Sequence, residues 1–335
     1  MPKLIITEYS KRFTTLHQEF AKRNWGKRKR GDPEYLKYKH KEKNKEVIEN
    51  LILALYGDRV VGQIGLIPSK LINNNEIIPC YWLCDLMVEN EYRSKGVGIE
   101  LYKYIMNKRK VLFGSYPSPN SEILLKLLNF KEIKGPELWY FPVNFKSLIN
   151  FKYKNYNKIF PEYLLKLLEL FYKKVYKINY TDLSKFDIFN WEELYKIHSI
   201  NQKEIVQPHM IHDREFFIWR GNGHSEYSNK LKGLKWKDDS YLFFEPGSDC
   251  IYVYDWVFNS IDAAKNLTSQ LVSIAKKFKK NRIQLTSNND KQKETLKKVG
   301  YLKFKRRIKL YCIGKNISQK LDGLFFSLND SDGNL

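Results

Sequence analysis

A short loop between an apolar run and a helix-like stretch carries the clearest chemical signal in this 335-residue chain. The run ends at Val88, and Arg93-Ser94-Lys95-Gly96-Val97-Gly98 follows after four further residues. Helix N-termini present unpaired N–H groups and a partial positive charge, so they attract anions. Glycines let a bulky anion reach the backbone, and two cations add charge. We therefore predict a pyrophosphate-binding loop, although such a glycine pair can also form only a tight turn.

Two well-known phosphate loops do not match this segment. A Walker A loop needs a Lys-Ser/Thr pair after spaced glycines, and a dinucleotide fingerprint needs more than the one G-x-G found here. If the loop binds an anion, it therefore belongs to another class of anion site.

The elements around the loop follow from hydrophobic periodicity. Residues 53–67 predict two strands around a Gly57-Asp58 turn. Further strands are predicted at 77–88 and 111–116, and amphipathic helices at 97–106 and 121–130. The order strands, helix, strand, helix predicts an α/β or α+β unit.

The second half of the chain repeats features of the first. Asp32–Lys39 and Asp213–Arg220 share the pattern D-x-E-aromatic-apolar-x-aromatic-cation, and residues 124–133 resemble residues 295–304. Two matches in the same order indicate an internal duplication. The second copy lacks the loop, because no glycine occurs between Asn259 and Asn281.

An amphipathic segment at 161–177 separates the two halves. Its apolar stripe consists of Leu164, Leu167, Leu168, Phe171 and Val175, and lysines lie outside the stripe. The favoured interpretation is a connecting helix packed between two domains, since a helix stripe most often faces a core. The alternative is a helix that lies on an anionic membrane.

The bulk composition limits the possible partners and compartments. A net charge of +22 suits a nucleic acid, a membrane surface or a phosphorylated ligand. No stretch approaches the ~20 apolar residues of a membrane span, and the N-terminus lacks a secretory pattern. Four cysteines are too few for a disulfide framework in a chain of this size. We therefore expect a cytoplasmic protein.

With its surroundings, the loop resembles a known motif. Val88-x-x-x-Tyr-Arg-x-x-Gly-x-Gly98 is similar to the acetyl-CoA-binding motif of the GCN5-related N-acetyltransferase (GNAT) family. Residues 113–120, with a following helix and Asn129-Phe130, resemble that family's fifth strand and its "PN…GF" continuation. Asp32–Lys39 and Gly57–Pro68 look like its early helix and its β2–β3 hairpin. The resemblance covers residues 3–142.

The resemblance implies a fold and a domain plan. The fold class would be α+β with mixed sheets, as two tandem acyl-CoA N-acyltransferase folds joined by a helical linker. We expect a first domain at 1–145 with an intact loop, linker helices at 146–180, a degenerate second domain at 181–325 and a tail at 326–335.

The resemblance also implies a cofactor, acetyl-CoA or another acyl-CoA, and its binding residues. The pantetheine arm would pair with the backbone near Leu86–Val88, and an N–H of Leu86 or Met87 would polarise the thioester carbonyl. The N–H groups of Ser94 to Gly98 would bind the pyrophosphate. The expected cofactor-binding residues are Leu86, Met87, Val88, Arg93, Ser94, Lys95, Gly96, Val97, Gly98 and Asn120.

The catalytic residues are less clear from the resemblance. The family's acidic tyrosine falls in register on Leu125, and Asn129 replaces a glycine. Tyr116 is the substitute candidate for the acid, with a buried strand tyrosine as the alternative. Asp85 is the candidate base, since a charge in an apolar strand is costly unless it is paired. The alternative for Asp85 is a salt-bridged structural carboxylate.

Other constellations are weaker. His209-x-x-His212-Asp213 could seed a metal site, but the sequence shows no third ligand, so no metal is predicted. His224 is a candidate for lining a substrate cleft. No Ser/His/Asp or Cys/His catalytic motif is readable.

Three functions follow. The leading one is an acyl-CoA-dependent N-acyltransferase, most simply an N-acetyltransferase, that acts on a primary amine of a small molecule. Candidate acceptors are amino sugars or sugar nucleotides of surface-polysaccharide biosynthesis. The second is an aminoacyl-tRNA-dependent transferase of the peptidoglycan-bridge type, which the basic block at 22–30 favours. The third is a non-catalytic CoA-binding protein.

Overall fold

The computed structural model describes residues 3–26, 28–42, 46–144, 161–176, 191–203, 205, 207–223, 231–314, 317, 321, 324–327 and 330. These residues form ten α-helices and fourteen strands. The helices are α1 Thr14–Trp25, α2 Pro33–Lys39, α3 Asn90–Arg93, α4 Val97–Lys108, α5 Pro119–Leu127, α6 Glu162–Val175, α7 Trp191–Gln202, α8 Arg214–Asn222, α9 Ile261–Lys277 and α10 Asp290–Val299. The strands are β1 Leu4–Ser10, β2 Val47–Tyr56, β3 Arg59–Asn73, β4 Glu76–Val88, β5 Leu112–Ser115, β6 Lys131–Ile133, β7 Glu137–Pro142, β8 His209–Met210, β9 Lys232–Trp236, β10 Ser240–Pro246, β11 Cys250–Val257, β12 Arg282–Ser287, β13 Leu302–Arg307 and β14 Leu310–Ile313.

The strands form two mixed sheets. The first has eight strands in the order β1-β2-β3-β4-β5-β14-β6, with β8 paired to β3, and the second has six in the order β13-β7-β12-β11-β10-β9. Among the described strands, each sheet contains one parallel pair, which is β4 with β5 in the first sheet and β11 with β12 in the second. All the other strand pairs are antiparallel. The α+β class with mixed sheets is therefore confirmed.

The two sheets exchange a strand. β14, from the C-terminal part of the chain, pairs with both β5 and β6 in the first sheet. β7, from the N-terminal part, pairs with both β12 and β13 in the second. Backbone hydrogen bonds thus connect each sheet to the other half of the chain. The division at 145 and 181 stays a prediction, but the sheets do not follow it.

The halves also share a core. Trp82 and Phe113 of the first sheet belong to the same buried cluster as Phe217, Tyr241 and Phe243 of the second half. Burial of large aromatic side chains is among the strongest contributions to packing. The two sheets are therefore held together by apolar contact as well as by the exchanged strands.

The repeated sequence patterns adopt repeated structures. Apart from the short α3, the first-half order β2-β3-β4-α4-β5-α5 is the same as the second-half order β9-β10-β11-α9-β12-α10. The two D-x-E patterns both form helices, and each begins with a capping aspartate: Asp32 accepts from Glu34 N and Tyr35 N, and Asp213 from Phe216 N.

The strands and helices predicted around the loop are present. β2 and β3 turn at Gly57-Asp58, and β4 and α4 cover the predicted segments. The helix at 161–177 is also present, as α6.

The orientation expected for α6 is wrong. Leu167, Leu168, Phe171 and Val175 of its stripe are exposed. The helix instead turns Leu165, Tyr172 and Tyr176 inward, and the two tyrosines pack on the core of the second sheet. Aromatic packing on this other edge outweighs the leucine periodicity. Contact of the exposed stripe with an anionic surface stays a prediction.

The four cysteines are buried and free of disulfides. None of the described helices is both long and apolar enough to cross a lipid bilayer. His224 lies outside the described residues.

Candidate functional site

A cleft opens between the two parallel strands of the first sheet. β4 and β5 pair only at Tyr81–Leu112 and Trp82–Phe113. Beyond these pairs the strands separate around a cavity of about 240 Å³. The cavity is lined by Leu83, Cys84, Asp85, Leu86, Tyr102, Gly114, Ser115, Tyr116, Pro117, Ser118, Ser121 and Leu125.

A β-bulge shapes one wall of this cleft. β3 pairs Gly65 with Cys84 and Gln63 with Met87, so Asp85 and Leu86 are displaced from regular pairing. Asp85 takes a φ of 49°, a strained value for a residue with a side chain. The predicted residue Leu86 lines the cavity, whereas Met87 and Val88 return to regular pairing with β3 and lie outside the lining.

The glycine loop lies at the start of α4, directly after β4 and α3. Gly96 adopts a φ of 76°, with open space where a Cβ would be, and no side chain caps the helix. The first-turn N–H groups, from Val97 onward, therefore lack a partner within the helix. Lys95 N donates to Tyr92 O at 3.2 Å and Gly96 N to Arg93 O at 3.4 Å. The available anion donors are thus shifted from Ser94–Gly96 toward Val97, Gly98 and Ile99.

Gly98 allows α4 to approach α5. A Cβ at this position would lie 3.2 Å from Leu124 Cδ1 and 3.9 Å from Val88 Cγ2. Glycine therefore favours close packing at position 98, where a Cβ would press on the end of the Leu124 side chain, while at position 96 the positive φ favours glycine. Of the predicted loop residues, Val97 and Gly98 are buried, and Arg93, Ser94 and Lys95 are exposed.

The two loop cations are oriented by the protein. Arg93 Nε donates to Val88 O at 2.9 Å. Lys95 Nζ lies 4.5 Å from the ring centroid of Tyr92 and 5.3 Å from that of Tyr56. Such cation–π contacts restrain a side chain without neutralising its charge. Both cations therefore add positive potential beside the uncapped helix.

Asp85 lies in a buried ion cluster. Its Oδ2 is 2.6 Å from Lys39 Nζ, its Oδ1 accepts from Arg30, and Lys39 is only 1% exposed. Burial alone would raise the pKa of the Asp85 carboxyl, but Lys39 and Arg30 hold it at about 2. An ionised carboxylate held by two cations is a weak base. This geometry favours the salt-bridged alternative for Asp85.

Tyr116 lies at the mouth of the cleft, just beyond β5. It is 50% exposed, so the alternative of a buried strand tyrosine is wrong. Its φ is 47° and its N–H donates to Lys309 O at 3.2 Å, which fixes the backbone at this position. Desolvation raises the pKa of its hydroxyl above the ordinary value, so the hydroxyl keeps its proton at neutral pH.

The positions that correspond to the family's tyrosine and glycine lie in and directly after α5. Leu125, which occupies the register of the family's tyrosine, is buried and packs near Gly114. Asn129, which replaces a glycine, takes a φ of 62°, a conformation that asparagine tolerates. Asn120 is exposed in the first turn of α5, a helix capped by Ser118.

Sequence reasoning missed a polar network behind Asp85. His17 Nε2 lies 2.7 Å from Gln63 Oε1, and Gln63 Nε2 donates to Asp85 O at 3.4 Å. His40 is fully buried, with Nδ1 2.8 Å from Leu66 O; burial and then Lys39 lower its pKa to about 4. The one available signal was Lys39, the cation that ends the Asp32–Lys39 pattern.

A second buried cluster occupies the equivalent place in the other half. His212 Nδ1 is 3.1 Å from Asp255 Oδ2, and His212 Nε2 is 2.6 Å from Asp330 Oδ1. His198 Nδ1 lies 2.6 Å from the Tyr241 hydroxyl and 4.0 Å from Asp255 Oδ2. Burial lowers the pKa of His212, but Asp330 and Asp255 together raise it to about 9.

This second cluster borders a cavity of about 280 Å³ between the end of β11 and the start of α10. His198 and Asp255 line it, together with Gln202, Asn289 and Phe325 among others. This cavity occupies the place in the second half that the β4–β5 cleft occupies in the first. The histidines also correspond, because His198 lies 15 residues before Asp213 and His17 lies 15 residues before Asp32. The His209-x-x-His212-Asp213 set, weighed from the sequence as a weak metal candidate, is dispersed, since His209 bonds Gln207 O and Asp213 caps α8.

Comparison with known proteins agrees with this architecture. Residues 16–111 match the family model of the acetyltransferase (GNAT) domain. No curated protein matches the chain in sequence.

Solved structures of the same fold cover most of the chain. A GCN5-related N-acetyltransferase from Anabaena variabilis is 13% identical, with a TM-score of 0.60 over 92% of this chain and 72% of its own. A GCN5-related N-acetyltransferase from Kribbella flavida is also 13% identical, with a TM-score of 0.60 over 92% of this chain and 71% of its own. N-myristoyltransferase from Saccharomyces cerevisiae, solved with bound myristoyl-CoA, is 12% identical, with a TM-score of 0.60 over 97% of this chain and 86% of its own. At these identities the likeness shows the fold. Residues 16–111 therefore match the GNAT domain, and the chain has the fold of these N-acetyltransferases.

Proposed function

We propose that the protein is an acyl-CoA-dependent N-acyltransferase that transfers an acyl group, most simply acetyl, to a primary amine of a small molecule. One observation carries the proposal: the cleft between β4 and β5 lies beside a helix whose N-terminus has no side-chain cap. Tyr102 of this helix lines the cleft, so a slot of mixed polarity and an uncapped helix end with two cations belong to the same helix. This arrangement suits a ligand with an extended arm and a pyrophosphate.

Each part of the cleft has a task in this proposal. The N–H groups of Val97, Gly98 and Ile99 bind the pyrophosphate, and Arg93 and Lys95 supply further positive charge. The separated edges of β4 and β5 hold the pantetheine arm, with Leu86 at the bulge. Acyl-CoA, when bound, supplies an activated acyl group as a thioester.

Tyr116 is the proposed proton donor at the cleft mouth. Tyr116 holds its hydroxyl proton at neutral pH and can donate it to a departing thiolate, but its raised pKa makes it a weak acid. Asp85 acts as a positioning residue, since its ion pairs with Lys39 and Arg30 fix the bulge that displaces Leu86. In the alternative role of general base, Asp85 would have to work with a pKa of about 2.

The second half supports the site without repeating its loop. The shared element order supports an internal duplication, with domains at 1–145 and 181–325, a linker at 146–180 and a tail at 326–335. Each unit completes the other's sheet through β14 and β7. A cytoplasmic location remains part of the proposal.

The net charge of the protein is the basis for the proposed class of amine acceptor. A net charge of +22 favours an acceptor that carries phosphate, such as a sugar nucleotide with a free amine. An aminoacyl-tRNA would also suit that charge, and it is separated from the first candidate by experiment.

Ligand-induced thermal stabilisation tests the proposal. Acetyl-CoA and CoA are expected to raise the melting temperature, and tRNA alone is not; a response to tRNA only would overturn the proposal. Gly96→Glu places a negative side chain at the anion site and is expected to abolish the shift with acetyl-CoA. Gly26→Glu is the matched control, because Gly26 also has a positive φ, of 64°, and open space around its Cβ position.

Substrate preference is measured afterwards. Thiol release is followed with a panel of amino sugars and sugar nucleotides, using acyl-CoA donors from acetyl to myristoyl. Release that depends on an amine supports the transferase. Binding of CoA without release for any amine would support the non-catalytic alternative.

A further inference from the structure

The buried cluster of the second half combines the side chains that bind metal ions. One nitrogen from each of His198 and His212 and one carboxylate oxygen of Asp255 all lie within 4.8 Å of one another. All three residues are buried. Two imidazoles and a carboxylate form a donor set typical of Zn²⁺ and related divalent ions.

Second partners already orient both histidines. Asp330 binds His212 Nε2 at 2.6 Å, so the ring presents Nδ1 to Asp255. Metal-binding histidines commonly have their other nitrogen bonded to a carboxylate in this way. His198 Nδ1 lies 4.0 Å from Asp255 Oδ2 and bonds the Tyr241 hydroxyl, so a metal ion at this nitrogen replaces that bond, while the Gln202 side chain lies beside the ring.

A comparable trio in the first half is much less suited to a metal ion. His40, Cys84 and Asp85 also lie within 4.8 Å of one another. The Asp85 carboxylate, however, already holds Lys39 and Arg30. Two fixed positive charges next to the carboxylate repel a divalent ion and occupy its oxygens. The carboxylates of the second cluster instead face histidines, which can exchange a proton for a metal ion.

We propose that the second half of the protein binds one divalent transition-metal ion of the Zn²⁺ type through His198, His212 and Asp255, with Asp330 as the outer partner of His212. Binding joins α7, the segment before α8, β11 and the C-terminal part of the chain at one point. His198 and Asp255 line the 280 Å³ cavity, so a water molecule or a ligand atom in that cavity completes the coordination.

Metal binding at this cluster is an exchange of charge. A divalent ion offsets the two carboxylates, Asp255 and Asp330, in place of the proton that His212 otherwise holds between them. On binding, the metal replaces any proton on the ligating nitrogens, and these protons leave to solvent.

The test starts from the wild-type chain. Protein treated with a chelator is titrated with Zn²⁺ and, separately, with Co²⁺, and its metal content is measured by elemental analysis. We expect one equivalent of bound metal, a higher melting temperature and a visible Co²⁺ absorption band typical of low-coordinate nitrogen and oxygen ligands. Wild-type protein that binds no stoichiometric metal and shows no thermal shift overturns the proposal, and the cluster is then an ion-pair network only.

Variants place the metal in the cluster. His198→Gln and Asp255→Asn are expected to abolish the stoichiometric binding, and Asp330→Asn to weaken it about 10- to 100-fold. His209→Gln is the matched control, because His209 is also buried but bonds Gln207 O outside the trio. His40→Gln checks the first-half trio. Binding that survives His198→Gln and Asp255→Asn but is lost in His40→Gln overturns the assignment. If a cluster variant fails to fold, the wild-type Co²⁺ spectrum still decides.

Discussion

Tyr38 and Trp219 occupy the same position in the two repeated helices and bond reciprocally to each other. Trp219 Nε1 donates to Tyr38 O at 2.8 Å, the Tyr38 hydroxyl donates to Trp219 O at 3.3 Å, and the ring centroids are 6.0 Å apart. Equivalent residues that exchange equivalent bonds are the mark of a two-fold relation. The two halves of this chain therefore meet as the two subunits of a symmetric dimer would.

The exchanged strands make the halves interdependent. A fragment of residues 1–145 lacks β14, so β5 and β6 lose their common partner, and β7 loses its own sheet. We expect this fragment to aggregate or to show no cooperative unfolding, because exposed strand edges and apolar surface remain. Circular dichroism during urea unfolding measures this. Co-expression with residues 146–335 is expected to restore a soluble complex, and a stable, monomeric 1–145 fragment would contradict the prediction.

Asp85→Asn is expected to destabilise the protein strongly. The change leaves Lys39, 1% exposed, without its carboxylate, and breaking a buried ion pair costs about 3–5 kcal/mol. The free energy of unfolding is measured by urea denaturation, with the exposed turn variant Asp58→Asn as control. Unchanged stability together with a large loss of kcat would instead identify Asp85 as the general base.

Acid is expected to destabilise the protein in two steps. The pKa of His40 falls from 6.5 to about 4 in the folded chain, so its stabilisation is complete above pH 6.5 and is lost as pH falls to about 4. That shift corresponds to about 3 kcal/mol. The pKa of Asp85 falls from 3.8 to about 2, so its contribution is lost below pH 3.8. Urea unfolding across pH 7 to 2 measures both steps. His40→Gln is expected to reduce the slope of the first one, to which the buried His17, His198 and His209 also contribute because their pKa values are lowered as well. An equal slope in wild type and variant would refute the role of His40.

Tyr116→Phe tests the proposed acid, and this prediction rests on the proposed transferase activity. Removing a general acid typically lowers the rate about 10²-fold or more, so kcat is expected to fall by about that factor. The KM for acyl-CoA and the melting temperature are expected to stay close to wild type, because the side chain is half exposed. Tyr92→Phe, beside the loop, is the control. Equal kcat values for both variants would exclude Tyr116 as the acid.

Much of the first half could be predicted because its signals are local. The Gly57-Asp58 turn, the apolar runs of β4 and β5 and the glycines before α4 each depend on a few neighbouring residues. The repeated patterns Asp32–Lys39 and Asp213–Arg220 were also readable, and both form helices capped by an aspartate. The orientation of α6 was not, because apolar residues occur on both of its edges and only packing chooses between them.

The sequence by itself determined where strands, helices and the anion loop occur, since periodicity, caps and glycine conformations act within a few residues. Only the tertiary structure decided which distant groups meet. Asp85 lies 46 residues from Lys39, and His212 lies 118 residues from Asp330. β14 joins a sheet that begins at Leu4. Such contacts depend on strand register and on the packing of the two halves, and neither is visible in any short stretch of sequence.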